Sequence, residues 1–196
     1  MSRRLLMVLG VLAVVAVLVI GLTQAGSSSD KPDQTTMSLA EQRQQLAGAP
    51  PELAALHAQA SQLLDGAPKA FEARLRALRG TPVVVNKWGS WCGPCRLEFP
   101  VFQRVAVALG KRVAFVGLDG KDPIGSAKAF LRKVPLSYPS YIDGDEAAAR
   151  SIDAGAFYPT TVFIDPRGRR TVHQGPYDSD AALKRDIERY ALDQGA

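Results

Sequence analysis

The chain has 196 residues, 46% of them apolar, with 24 basic against 19 acidic side chains and a formal net charge of +5. That length fits one ordinary domain with extensions. The basic residues are dispersed rather than gathered into a stripe, which gives no case for nucleic-acid binding, and no internal repeat recurs at a fixed period.

In chain order, residues 5–22 come first and read LLMVLGVLAVVAVLVIGL, without a charge. A helix of that length spans roughly 27 Å, close to the hydrocarbon thickness of a bilayer. Arg3 and Arg4 precede the run and almost no positive charge follows it. The positive-inside rule then predicts a single-pass signal anchor in the cytoplasmic membrane, with residues 1–4 in the cytoplasm and the rest in an oxidising extracytoplasmic space. A cleaved signal peptide is the alternative, although the run exceeds the usual ~7–15 residue signal core.

Residues 23–37 are polar and rich in Gly and Ser, the composition of a flexible tether. A helical extension is expected over residues 38–79. Leu53, Leu56, Ala60, Leu63 and Leu64 recur at helical steps, which predicts one helix opened by Pro50 and Pro51 and ended at Gly66. Phe71, Leu75 and Leu78 repeat the pattern up to Gly80, and His57 reads as a packed or exposed side chain.

Residues 80–196 change character. TPVVVNKW is short and β-branched, as a buried strand is, and a helix follows from about Pro94 to Leu109. RVAFVGLD is the next buried strand, and Asp122 is expected to cap a helix opened by Pro123. SYPSYID reads as a short extended segment and DEAAARSI as a short helix. TTVFID and RRTVHQG form a hairpin about Pro166-Arg167-Gly168, and a helix capped by Ser179 or Asp180 ends the domain. A parallel β-α-β start, an antiparallel hairpin and covering helices make an α/β sandwich with a mixed central sheet.

Both cysteines fall in NKWGSWCGPCRLEFP, separated only by Gly93 and Pro94. Cys92 just before a helix and Cys95 in its first turn can close a disulfide without unfolding anything. The helix dipole and unpaired N–H groups there favour the Cys92 thiolate, so Cys92 is the nucleophile and Cys95 the resolving thiol. A structural zinc site would need further Cys or His ligands, and a loop this short makes a poor structural disulfide. The pair therefore reads as a redox centre, with no metal and no cofactor called for.

NKWGSWCGPCRLEFP, the later YPTTVFID and the segment inserted between them resemble the TlpA/ResA-type branch of the thioredoxin superfamily. The resemblance covers about residues 80–192 and implies a thioredoxin-like sandwich with an inserted strand-helix segment. It also implies a membrane-anchored extracytoplasmic thiol–disulfide oxidoreductase. By the same resemblance Pro159 matches a cis-proline facing the disulfide, and Trp91 an aromatic that shields it. Client choice then falls to the loops around Tyr158, Pro159 and Trp91. Glu98 matches an acidic residue that shuttles the Cys95 proton; read without the family, it is a surface carboxylate on the first helical turns.

Two departures stand out. Asn86 replaces the buried Asp of cytoplasmic thioredoxin. Lys87 stands where a large apolar residue is usual, and burying it demands a partner, for which Asp119 is the candidate. The leading functional expectation is a reductant of protein disulfides, such as apocytochrome c during cytochrome c maturation, recharged by a membrane thiol-transfer protein of the CcdA or DsbD type. A disulfide-introducing oxidase or isomerase is the alternative. A copper-binding module using both thiolates and His173 is a third.

Overall fold

The computed structural model describes residues 36–192. The apolar run at 5–22 and most of the tether lie outside them, and among the described residues no helix is long and apolar enough to cross a membrane. The elements are α1 (Leu39–Gln45), α2 (Pro51–His57), β1 (Leu63–Leu64), α3 (Lys69–Ala77), β2 (Val83–Trp88), α4 (Gly93–Leu109) and β3 (Ala114–Gly120). They continue with α5 (Ile124–Lys133), β4 (Ser140–Asp143), α6 (Ala147–Ser151), β5 (Thr160–Ile164), β6 (Arg170–Gln174) and α7 (Asp180–Ile187), which runs into a wide turn over Glu188–Leu192.

The strands form one mixed sheet in the order β1-β4-β3-β2-β5-β6. β2 lies near its middle, parallel to β3 and antiparallel to β5, with Val85 opposite Val116 on one side and Val162 on the other. All six β2 residues are buried. A strand covered on both faces needs no apolar-polar alternation, which explains the continuous VVV run. Successive side chains still leave opposite faces. Val84 and Trp88 join a core with Phe99, Phe102 and Val105 of α4, Leu131 of α5 and Leu183 of α7. Val83 and Val85 join a second core with Leu53 and Leu56 of α2, Phe71 of α3, and Ala148 and Ala149 of α6.

The thioredoxin-like order of strands and helices expected from the sequence is present, including the inserted β4 and α6. The extension differs from expectation in one respect. The predicted helix from Pro50 to Gly66 stops at His57, and Leu63 and Leu64 instead pair in parallel with Ser140 and Tyr141 of β4. Ser61 turns the chain with φ 61°, donating its N–H to Tyr138 O at 3.1 Å. The edge of β4 offers backbone partners that a helix cannot use, and this tertiary pairing overrides the helical spacing. Asp122 is a second difference: α5 begins after Pro123 with no side-chain cap, because the Asp122 carboxylate is engaged elsewhere. Ser179 caps α7 as expected, accepting from Ala182 N.

The extension is therefore part of one face of the core. Phe71 is fully buried and meets the Tyr141 ring edge-on at 5.7 Å. Phe71→Ala is expected to cost about 3–5 kcal/mol in urea unfolding. A loss below about 1 kcal/mol would mean that the extension is a spacer.

Candidate active site

The site sits where β2 runs out and α4 begins. Cys92 occupies the N-cap of α4 in extended backbone geometry (φ −81°, ψ 108°), with Pro94 in the first turn where its missing N–H costs nothing. Cys92 and Cys95 are joined in a disulfide with their Cα atoms 5.3 Å apart. Cys92 Sγ also accepts the Cys95 N–H at 3.2 Å, the position from which the helix end stabilises a thiolate. Cys92 is 4% exposed and Cys95 fully buried, so Cys92 is the sulfur open to attack.

Glu98 lies one turn along the helix from Cys95. Its neighbour Leu97 is among the most exposed apolar side chains, whereas Glu98 is fully buried, which rules out a surface carboxylate. One oxygen accepts from Asn86 Nδ2 at 2.8 Å, the other from the Tyr177 N–H at 3.2 Å. Burial pushes its pKa up to about 8, against the lowering effect of those two hydrogen bonds. A carboxyl of that pKa exchanges protons in either direction near neutral pH. Asn86, on the strand, thus holds a buried carboxyl that comes from α4.

The Tyr158–Pro159 peptide bond is cis, as the resemblance implied. The Tyr158 ring packs against Trp91 with centroids 4.8 Å apart. Trp91 remains 52% exposed while its Nε1 donates to Gly120 O at 3.2 Å. The two aromatics form a rim at the residue before Cys92, and Phe157, which precedes Tyr158 in the chain, is 61% exposed.

Lys87 is buried as expected but does not pair with Asp119. Its ammonium donates to Glu146 Oε1 at 2.7 Å and to Gly155 O at 2.5 Å. Register supplies the reason: Asp119 lies opposite Trp88, one residue further on, so its side chain leaves the other face of the sheet. Burial, followed by the charge of Asp122, raises the pKa of Asp119 to about 8.

Asp122, Glu146 and Tyr177 were not expected at the site. The Asp122 carboxylate accepts the Ser90 N–H and, at 2.8 Å, its hydroxyl, which anchors the loop carrying Trp91 and Cys92. The only signal in the sequence was an Asp after a strand, which reads equally well as a helix cap. His173 stacks on Tyr177 with centroids 4.4 Å apart.

The AhpC/TSA family profile matches residues 57–171. Among similar proteins, the thiol–disulfide oxidoreductase ResA of Geobacillus kaustophilus is 31% identical, over 62% of this chain and 68% of that protein. The thiol:disulfide interchange protein DsbE of Xylella fastidiosa strain Temecula1 is 37% identical over 46% of this chain, a match spanning only 45% of that protein's length. A structure of MTB DsbF in mixed oxidized and reduced forms aligns with a TM-score of 0.55 at 29% identity, covering 59% of this chain and 85% of that one.

A carboxyl whose pKa rises on folding binds more protons in the native state, so its contribution to stability is present at low pH and lost as pH rises through the folded value. For Glu98 that window runs from its ordinary value of 4.5 to about 8. Urea unfolding between pH 5 and pH 8 should therefore show a smaller loss of stability for Glu98→Gln than for the unaltered chain. Equal losses would mean that Glu98 is charged throughout.

Proposed function

Because the chain belongs to the AhpC/TSA family and is a thiol–disulfide oxidoreductase of the ResA and DsbE type, we propose that it works as a reductant of protein disulfides outside the cytoplasm, tethered by residues 5–22. The observation that supports the exchange chemistry, in either direction, is the pairing of a buried resolving thiol, Cys95, with a buried carboxyl on the same helix whose pKa is raised to about 8.

In the reduced chain, the Cys92 thiolate attacks one sulfur of a client disulfide. That bond breaks, the first client sulfur leaves as a thiolate and takes a proton from water, and Cys92 is held to the client in a mixed disulfide. Cys95 must then become a thiolate in a place where no water reaches it. Glu98 accepts its proton, and the Cys95 thiolate attacks Cys92 Sγ, releasing the second client thiolate. Two electrons have passed to the client, and the Cys92–Cys95 disulfide is formed. A donor dithiol reverses the sequence with Glu98 returning the proton.

The Gly-Pro dipeptide between the cysteines is that of strongly reducing thioredoxins and favours this direction over disulfide introduction. A reductant in an oxidising compartment needs recharging from inside the cell, for which a membrane thiol-transfer protein of the CcdA or DsbD type is the natural donor. Apocytochrome c, whose CxxCH thiols must be reduced for haem attachment, is the client class this arrangement suits.

The full-length chain carrying Cys95→Ser should accumulate a mixed disulfide with a CxxCH peptide supplied in its oxidised form, while Cys92→Ser should not. The reduced unaltered chain should convert the same peptide to its dithiol. Preferential oxidation of the reduced peptide by the disulfide form would instead establish the disulfide-introducing alternative.

A further inference from the structure

Lys87 and Glu146 form an ion pair that the exchange chemistry above does not use. Lys87 is 1% exposed on the central strand, and Glu146 is also buried, at the turn preceding α6. Leaving either charge unpaired there would be costly, and a large apolar residue at position 87 would remove the need for both.

The geometry around Glu146 shows what the pair touches. Its Oε1 accepts both the Lys87 ammonium at 2.7 Å and the Tyr158 hydroxyl at 2.8 Å, while Oε2 accepts Lys121 Nζ at 2.5 Å. Lys87 Nζ also lies 4.0 Å from the centre of the Tyr158 ring, a cation–π contact. Tyr158 is thereby held at its hydroxyl and over its ring face, and it is the residue that packs against Trp91 and precedes Pro159.

Two further features single out this contact. Gly120 leaves room for the hydroxyl, since a Cβ at that position would lie 2.0 Å from Tyr158 Oη. Lys121 and Glu146 have φ of 54° and 60°, the left-handed region that non-glycine residues avoid unless their surroundings hold them there. Both strained residues belong to the same ion-pair cluster. Burial works against the Glu146 charge, but hydrogen bonds from Lys121, Lys87 and Tyr158 hold its pKa at about 2, so its carboxyl stays ionised near neutral pH.

We propose that Glu146, anchored by Lys87, is a positioning residue for client binding: it fixes the Tyr158 hydroxyl and so holds the Tyr158–Trp91 rim rigid where an extended client segment lies beside Cys92. This rests on the oxidoreductase reading above. Rigidity matters because a rim ordered before binding spares the client the entropy of ordering it. Glu146 never touches the sulfur chemistry, so its removal acts on client binding rather than on exchange.

The test uses the full-length chain with the oxidised CxxCH peptide as disulfide substrate and dithiothreitol as the recycling reductant. Glu146→Gln should raise KM about tenfold, the effect of losing a charge-supported hydrogen bond, with kcat changed by less than about threefold. Tyr158→Phe, which keeps the ring and loses the hydroxyl, should raise KM similarly. The double variant should be no worse than the weaker-binding single variant, because both changes reach the rim through the one hydrogen bond from the Tyr158 hydroxyl to Glu146. An unchanged KM in Tyr158→Phe, effects that multiply in the double variant, or a fall confined to kcat would each overturn the proposal. A merely structural pair would lower the unfolding midpoint of Glu146→Gln and leave KM where it was. An unaltered chain inactive on the oxidised CxxCH peptide would overturn the functional reading and this inference with it; an active one with unaltered variants would overturn the inference alone.

Discussion

Two adjacent polar residues, Asn86 and Lys87, lie on a strand buried on both faces, and most of the site follows from the carboxyl that each one meets. The pleat sends them in opposite directions. Asn86 enters the core under α4 and meets Glu98, while Lys87 enters the core under α6 and meets Glu146. Because the strand period is two, a slip of one residue would exchange the two faces and leave both polar groups without partners. Register between β2 and its neighbours therefore fixes the Asn86–Glu98 and Lys87–Glu146 contacts together. The three valines that open β2 secure that register, packing into both cores at once.

The α4 face governs the electrons. A helix start stabilises the Cys92 sulfur as a thiolate, and the fully buried Cys95 sulfur needs a proton acceptor that solvent cannot supply. In the exchange we propose, Glu98 is that acceptor: it is itself hidden from water, and the hydrogen bonds from Asn86 and Tyr177 work against the rise that burial gives its pKa. The carboxylate pair on the neighbouring strand end works differently. Asp122 fixes the loop through Ser90, and Asp119 sits behind it with its pKa raised by burial and by that neighbouring charge.

What could be read in advance follows the range of the interactions. The strand-helix alternation, the start of α4 at the cysteines, the β5–β6 hairpin and the Ser179 cap depend on neighbours in sequence, and they stand as expected. The need of Lys87 for a partner was also legible, since a lysine in VVVNKW cannot reach water. Its partner was not, because Glu146 approaches from a turn 59 residues away by subtraction of the two positions, and no periodicity encodes that meeting. Leu63 and Leu64 misled for a related reason: their spacing suits a helix, while the open edge of β4 decides the outcome. Tyr158 was marked by its place before Pro159, yet the carboxylate that holds its hydroxyl came from the inserted segment.

The reduction potential of the Cys92–Cys95 couple in the full-length chain, measured at pH 7 against glutathione or dithiothreitol, tests the direction of electron flow most directly. A reductant with a readily formed disulfide should lie near or below about −250 mV, in the range of thioredoxin. A value above about −180 mV, towards the disulfide-introducing enzymes, would contradict the account, because the same cysteines and the same carboxyl would then be serving an oxidant.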